Sequence, residues 1–137
     1  KSVPMTSSVD AANESSSQIA VVDDDPRIRH LLREELIDAG FQAQCYSDGF
    51  ALLDEISTNP PDLILLDLMM PQLDGIECLR RIRQAKFTGP VVIFTALSDN
   101  EKRQEAEREG GSEYILKPDL FDNLERVINR HLTGKKV

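Results

Sequence analysis

Four short aliphatic runs in this chain are each followed at once by a functional side chain: Val22 by Asp23 and Asp24, Leu66 by Asp67, Phe94 by Thr95, and Leu116 by Lys117. Such runs read as buried parallel strands. In an open parallel sheet the carboxyl ends of all strands lie on one rim, where ligands bind near the point at which strand order reverses. Three carboxylates, a hydroxyl and an ammonium are therefore expected in one pocket. Two carboxylates about 5 Å apart repel by roughly 3 kcal/mol at an effective dielectric near 20, so three of them with a single Lys require a further cation. An oxygen-only donor set selects a hard ion, and Mg2+, which keeps several of its waters, suits a partly open rim. The chemistry such a site can do is phosphoryl transfer. A carboxylate attacks and becomes an acyl phosphate while Mg2+ and Lys neutralise charge on the phosphoryl oxygens. Asp67 is the expected nucleophile: it ends the most uniformly apolar strand, and Leu68, Met69, Met70 and Pro71 follow it in place of a helix to cap.

The frame for these groups is an alternation of strands and helices. Strands are expected at 19–22, 63–66, 91–94 and 114–116, with a weaker, alternating one at 42–46 that suits a sheet edge. Asp25 and Pro26 cap and open the first helix, whose apolar face is Ile28, Leu31, Leu32 and Leu36 and which Gly40 closes. A second helix, about 48–57, stops before Pro60 and Pro61. Asp74 and Gly75 open the third, with Ile76, Leu79 and Ile82 toward the sheet. Leu120, Leu124, Val127 and Ile128 mark one face of the fifth. The fourth, with Ser98 and Glu101 as a capping box, offers only Ala106 to an apolar face, and it is expected to be loosely held.

The chain has 137 residues, enough for one domain that buries roughly 68% of its unfolded surface. Residues 1–18, with six serines and few bulky apolar side chains, are expected to be a flexible leader. The chain begins with Lys1 and not Met, so it is expected either to be a piece of a longer chain or to carry an expression scar at its start. The folded domain is expected at 19–132, with a flexible tail at 133–137. A net charge of -8 repels phosphate backbones and anionic lipid, so no direct nucleic-acid partner is expected. No apolar run exceeds four residues, far short of the roughly 20 of a membrane helix. Two cysteines, Cys45 and Cys78, form neither a zinc site nor a disulfide framework and fit a reducing cytoplasm as small packing residues. His30 and His131 are expected on helix surfaces, and Arg80, Arg81, Arg83 and Lys86 on a solvated helix face. Tyr114 alone reads as an ordinary edge-strand aromatic.

Across 19–132 the stretches IAVVDDDPRIRHLL, DLILLDLMMPQLDGIECLRRIR, VVIFTALSD and EYILKP resemble the receiver domains of two-component response regulators. The spacings are 43 residues from Asp24 to Asp67, 28 from Asp67 to Thr95 and 22 from Thr95 to Lys117. The resemblance implies an α/β, doubly wound, five-stranded parallel sheet in the order 2-1-3-4-5 flanked by five helices, the flavodoxin-like or CheY-like fold. It implies Asp67 as acceptor of a phosphoryl group from a histidine kinase or histidine phosphotransfer protein. It further implies Mg2+ held by Asp24 and Asp67, by Asp23 through water and by the Met69 backbone carbonyl. Thr95 and Lys117 would bind phosphoryl oxygens, Lys117–Pro118 would be the family's cis peptide, and Tyr114 would be the aromatic coupled to Thr95. The readout surface would be the fourth helix, fifth strand and fifth helix, for an effector or a covalently attached domain, with room for a phosphorylation-dependent dimer.

Two departures from the family pattern stand out. Gly110, Gly111 and Ser112 replace the usual Gly-Ala and are expected to loosen the loop before the fifth strand. Met69 puts an apolar side chain where some relatives hold a hydrolytic water, which predicts slow self-dephosphorylation. Two other functions compete with this one. One is a phosphatase of the Asp-x-Asp type using Asp23 and Asp25, which fits poorly because Arg27 occupies the fifth position of that motif and there is no cap segment. The other is a receiver-like module that never becomes phosphorylated. No output segment is expected within residues 133–137, which leaves a stand-alone shuttle, a hybrid kinase receiver and a piece of a transcription regulator all open.

Overall fold

The computed structural model describes residues 16–136. Among them one sheet of five parallel strands runs in the order β2-β1-β3-β4-β5. The strands are β1 (Gln18–Val22), β2 (Gln42–Tyr46), β3 (Leu63–Asp67), β4 (Val91–Thr95) and β5 (Glu113–Leu116). Six helices accompany them: α1 (Pro26–Asp38), α2 (Gly49–Glu55), α3 (Gly75–Gln84), α4 (Asn100–Arg108), α5 (Lys117–Asp122) and α6 (Leu124–Lys136).

Alternation along the central strands builds two cores. Ile19, Val21, Leu63, Leu65, Val92 and Phe94 meet Leu32 and Leu36 of α1 and Leu120, Leu124, Val127 and Ile128 of α5 and α6. On the opposite face Ala20, Val22, Ile64, Leu66, Val91 and Ile93 meet Leu52 of α2, Ile76, Leu79 and Ile82 of α3 and Ala106 of α4. Every residue of β3 and β4 is buried, as strands covered on both faces require.

Several expectations are corrected. The fifth helix is two, because Asn123 turns out of helical geometry (φ -133°) and its side-chain amide donates to the Asp119 carbonyl at 3.0 Å, a local competitor for helix bonds. Helix α4 is capped by Asp99 and not Ser98: the Asp99 carboxylate accepts from the amides of Glu101 and Lys102. Leu31, assigned to the buried face of α1, is 52% exposed. Strand β1 starts at Gln18, and the Ser17 carbonyl accepts from the Gln42 amide; residues 1–15, within the expected leader, lie outside the described residues. At the other end α6 extends to Lys136.

The loop expected to be loose is pinned. Arg83 donates to the Gly110 carbonyl through Nε and Nη2 at 3.1 and 2.7 Å, and through Nη1 to the Phe87 and Gly89 carbonyls. Gly110 sits at φ +96°, which an L side chain rarely adopts. Arg83 is thus no solvated cation, and burial pushes its pKa below the ordinary arginine value. Arg80 is likewise engaged, with Glu77 and Glu109.

Candidate functional site

Register decides which residues meet. Val22 pairs with Leu66, so Asp23 and Asp67 leave adjacent strands at the same height. Asp67 pairs with Phe94 and Phe94 with Ile115, which places Thr95 one residue and Lys117 two residues farther along their strands. Asp23, Asp24 and Asp67 each bring a carboxylate oxygen within 4.8 Å of the others. Lys117 Nζ stands 3.5 Å from Asp23 Oδ2 and 3.7 Å from Asp67 Oδ1. All five rim residues singled out from the sequence line this end of the sheet.

The groups differ in how they are held. Asp23 and Asp67 are buried and Asp24 is exposed. The Met69 amide donates to Asp67 Oδ1 at 3.3 Å, and the Met69 side chain is 58% exposed beside it. Gly75 lets helix α3 begin against the strand end: a Cβ there would lie 2.6 Å from the Asp67 carbonyl oxygen and from Leu68 Cα. Burial first, and then the Asp23 charge, push the Asp67 carboxyl up to about 7, against the opposing pull of Lys117. Burial also raises Asp23 above the ordinary carboxylate range, with the Asp25 amide and Lys117 pulling it down.

Asp23 Oδ2 is buried and accepts no hydrogen bond. A buried carboxylate oxygen without a donor is costly, and together with two further carboxylates it makes a donor set that fits a hard divalent cation. Asp25 stands apart from this set. Its side chain caps α1 at the Arg27 amide and pairs with the Arg27 guanidinium, which removes the second aspartate from the phosphatase reading.

Thr95 is fully buried, and its Oγ1 accepts from the Leu97 amide at 3.0 Å. Tyr114, with its ring buried, donates from its hydroxyl to the Leu97 carbonyl at 2.8 Å, and the Arg103 guanidinium lies 5.1 Å from the ring centre.

A family model for the response regulator receiver domain matches residues 19–129. The chain belongs to this family. This receiver is 33% identical over 116 residues to the regulatory protein AtoC of Escherichia coli (strain K12), covering 85% of the chain and 25% of AtoC. It is 36% identical to the response regulator MprA of Mycobacterium sp. (strain KMS) over 78% of the chain and 46% of that protein. The chain therefore spans between a quarter and about half of these curated relatives. The solved receiver domain of the Francisella response regulator 1452 superimposes with a TM-score of 0.81 at 32% identity, over 88% of this chain and 99% of the other. Receiver domains bind Mg2+ at an acidic cluster of the kind formed here by Asp23, Asp24 and Asp67.

One implied feature is absent. Among the described residues there is no cis peptide bond, so Lys117–Pro118 is trans. Pro118 lies in the first turn of α5, where a fixed φ suits a trans-linked helix start. The sequence reading missed two residues bonded to the rim groups. Leu97 joins Thr95 to Tyr114 through its backbone and carries no side-chain signal. Arg29, whose Nη1 donates to the Asp23 carbonyl at 2.7 Å, did leave one: a cation near a helix N-terminus, where the peptide dipoles disfavour it.

Proposed function

We propose that this receiver accepts one phosphoryl group on Asp67 from the phosphohistidine of a kinase or phosphotransfer protein and passes the change to its α4-β5-α5-α6 face. The observation that carries this reading is the convergence of Asp23, Asp24 and Asp67 opposite the Lys117 ammonium. An Asp67 oxygen attacks phosphorus, the N–P bond to the donor imidazole breaks with its electron pair leaving on nitrogen, and an acyl phosphate results. Asp23, Asp24, Asp67 and the Met69 backbone carbonyl would hold Mg2+, and what the ion supplies is charge neutralisation for the phosphoryl oxygens. Lys117 and Thr95 contact those oxygens.

Phosphorylation adds about -1.5 to -2 in charge. That charge draws Thr95 and Lys117 inward, and Leu97, bonded to Thr95, carries the movement to the Tyr114 hydroxyl and the start of α4. Turnover is confined to gain and slow loss of this one group. The output lies in an effector or attached domain, consistent with the fraction of its relatives that the chain spans. A cytoplasmic site of action fits two free cysteines and the lack, among the described residues, of any helix long and apolar enough to cross a membrane.

Mass spectrometry after incubation with acetyl phosphate and Mg2+ tests the reading. A single phosphate adduct that disappears in Asp67→Asn is expected; no adduct, or an adduct that persists in the variant, overturns it.

A further inference from the structure

Asp23 is fixed at three of its four polar atoms. Its amide donates to the Tyr46 carbonyl at 3.2 Å, its Oδ1 accepts from the Asp25 amide at 2.9 Å, and its carbonyl accepts from Arg29 Nη1 at 2.7 Å. The fourth atom, Oδ2, is the buried oxygen without a donor, 3.5 Å from Lys117 Nζ. Two of the three anchors are main-chain groups. The third is a side chain from α1.

Arg29 occupies the fourth position of α1. Helical side chains lean toward the N-terminus of their helix, which brings this guanidinium back over the β1–α1 loop. A cation there works against the helix, because the peptide dipoles favour negative charge at that end and no acid occupies the first turn. Arg27 meets the same difficulty by pairing with Asp25. Arg29 has the Asp23 carbonyl instead, so its placement serves the loop and not the helix.

We infer that Arg29 is a positioning residue for the acidic cluster: by holding the Asp23 carbonyl it keeps Oδ2 directed at the cation position. This inference rests on the reading of Asp23, Asp24 and Asp67 as a Mg2+ site. Removing the guanidinium has two opposed effects. Loss of positive charge near three carboxylates favours a divalent cation, whereas loss of the anchor frees Asp23 and disfavours it. The inference requires the second to win, and partners that orient metal ligands are typically worth about 10–100-fold in affinity.

The test is Mg2+ titration of the wild-type chain, Arg29→Met, Arg29→Lys and Arg27→Met, followed by the amide chemical shifts of Asp23, Asp24 and Asp67, with thermal unfolding of each metal-free protein alongside. Arg29→Met is expected to bind Mg2+ about tenfold more weakly or worse, and Arg29→Lys to fall between it and wild type. Arg27→Met, which removes the same charge without touching Asp23, is expected to bind equally or more tightly. Unchanged or tighter binding by a folded Arg29→Met overturns the inference. If that variant does not fold, Arg29→Lys decides: weaker binding than wild type supports the inference and equal binding overturns it. Failure of the wild-type chain to bind Mg2+ overturns instead the reading of the cluster on which the inference rests.

Discussion

The Tyr114 hydroxyl and the Leu97 carbonyl are joined by a 2.8 Å hydrogen bond, and the amide of the same leucine donates to Thr95 Oγ1. One residue just before α4 is therefore tied to both the phosphoacceptor rim and the edge strand. Helix α4 itself buries only Ala106, and this tie joins the Asp99 cap and the Arg103–Tyr114 contact at its N-terminal end. Tyr114→Phe keeps the ring and removes the bond, at a cost of about 1 kcal/mol. Hydrogen exchange should accelerate at amides 97–103 while the strand amides stay protected. Unaltered exchange there would separate Tyr114 from control of α4.

The raised pKa of Asp67 gives stability a definite pH dependence. With a folded-state pKa near 7 against an ordinary 3.8, the folded protein keeps a proton that the unfolded chain has released between about pH 4 and 7. Unfolding free energy therefore falls as pH rises through that window. Asp67→Asn should flatten the slope and be more stable than wild type at pH 8, by on the order of 1–3 kcal/mol, in urea unfolding without Mg2+. Added Mg2+ should stabilise the wild type, by about 2.7 kcal/mol at a hundredfold excess over Kd, and less at pH 5, where protons compete for the same oxygens. An equal pH slope in wild type and Asp67→Asn would contradict this account.

Met69 presents an exposed apolar side chain next to Asp67, where an amide could hold and orient a water. Met69→Asn should shorten the lifetime of the acyl phosphate several-fold, followed as loss of the adduct by mass spectrometry after acetyl phosphate is removed. An unchanged decay would show that this side chain has no part in the lifetime.

Arg83 bridges the α3–β4 and α4–β5 loops through three carbonyls. Arg83→Met retains most of the aliphatic stem and leaves those oxygens without their donor, a loss of roughly 2–3 kcal/mol. The Tm should fall, and exchange should accelerate at residues 109–112 before other loops. A Tm within a degree of wild type would mean that solvent replaces the guanidinium at no cost.

The five rim residues were legible because each follows a strand whose continuous apolar run leaves little doubt about where the strand ends, and strand ends in a parallel sheet share one rim. The two-layer core was legible for the same reason. Less of the edges could be read. The break at Asn123 and the cap at Asp99 rest on competition between a side chain and the helix for the same backbone groups, which neighbouring candidates such as Ser98 could equally have won. His131 was expected on the surface, yet its Nε2 lies 2.7 Å from Glu113 Oε1 and the side chain is 17% exposed, because β5 brings a distant glutamate beneath α6.

By itself, then, the order of residue types determined the fold class, the strand ends and the identity of the acid, hydroxyl and ammonium groups, since these follow from local pattern and from rules that hold for any parallel sheet. Tertiary structure decided the rest: that Asp23 keeps one oxygen without a donor, that Leu97 links Thr95 to Tyr114, that Arg83 fastens two loops and that Arg29 reaches the Asp23 carbonyl. Those relations depend on register and on the reach of single side chains across several ångströms, and hydrogen bonding at that scale is fixed only once the packed chain sets its distances.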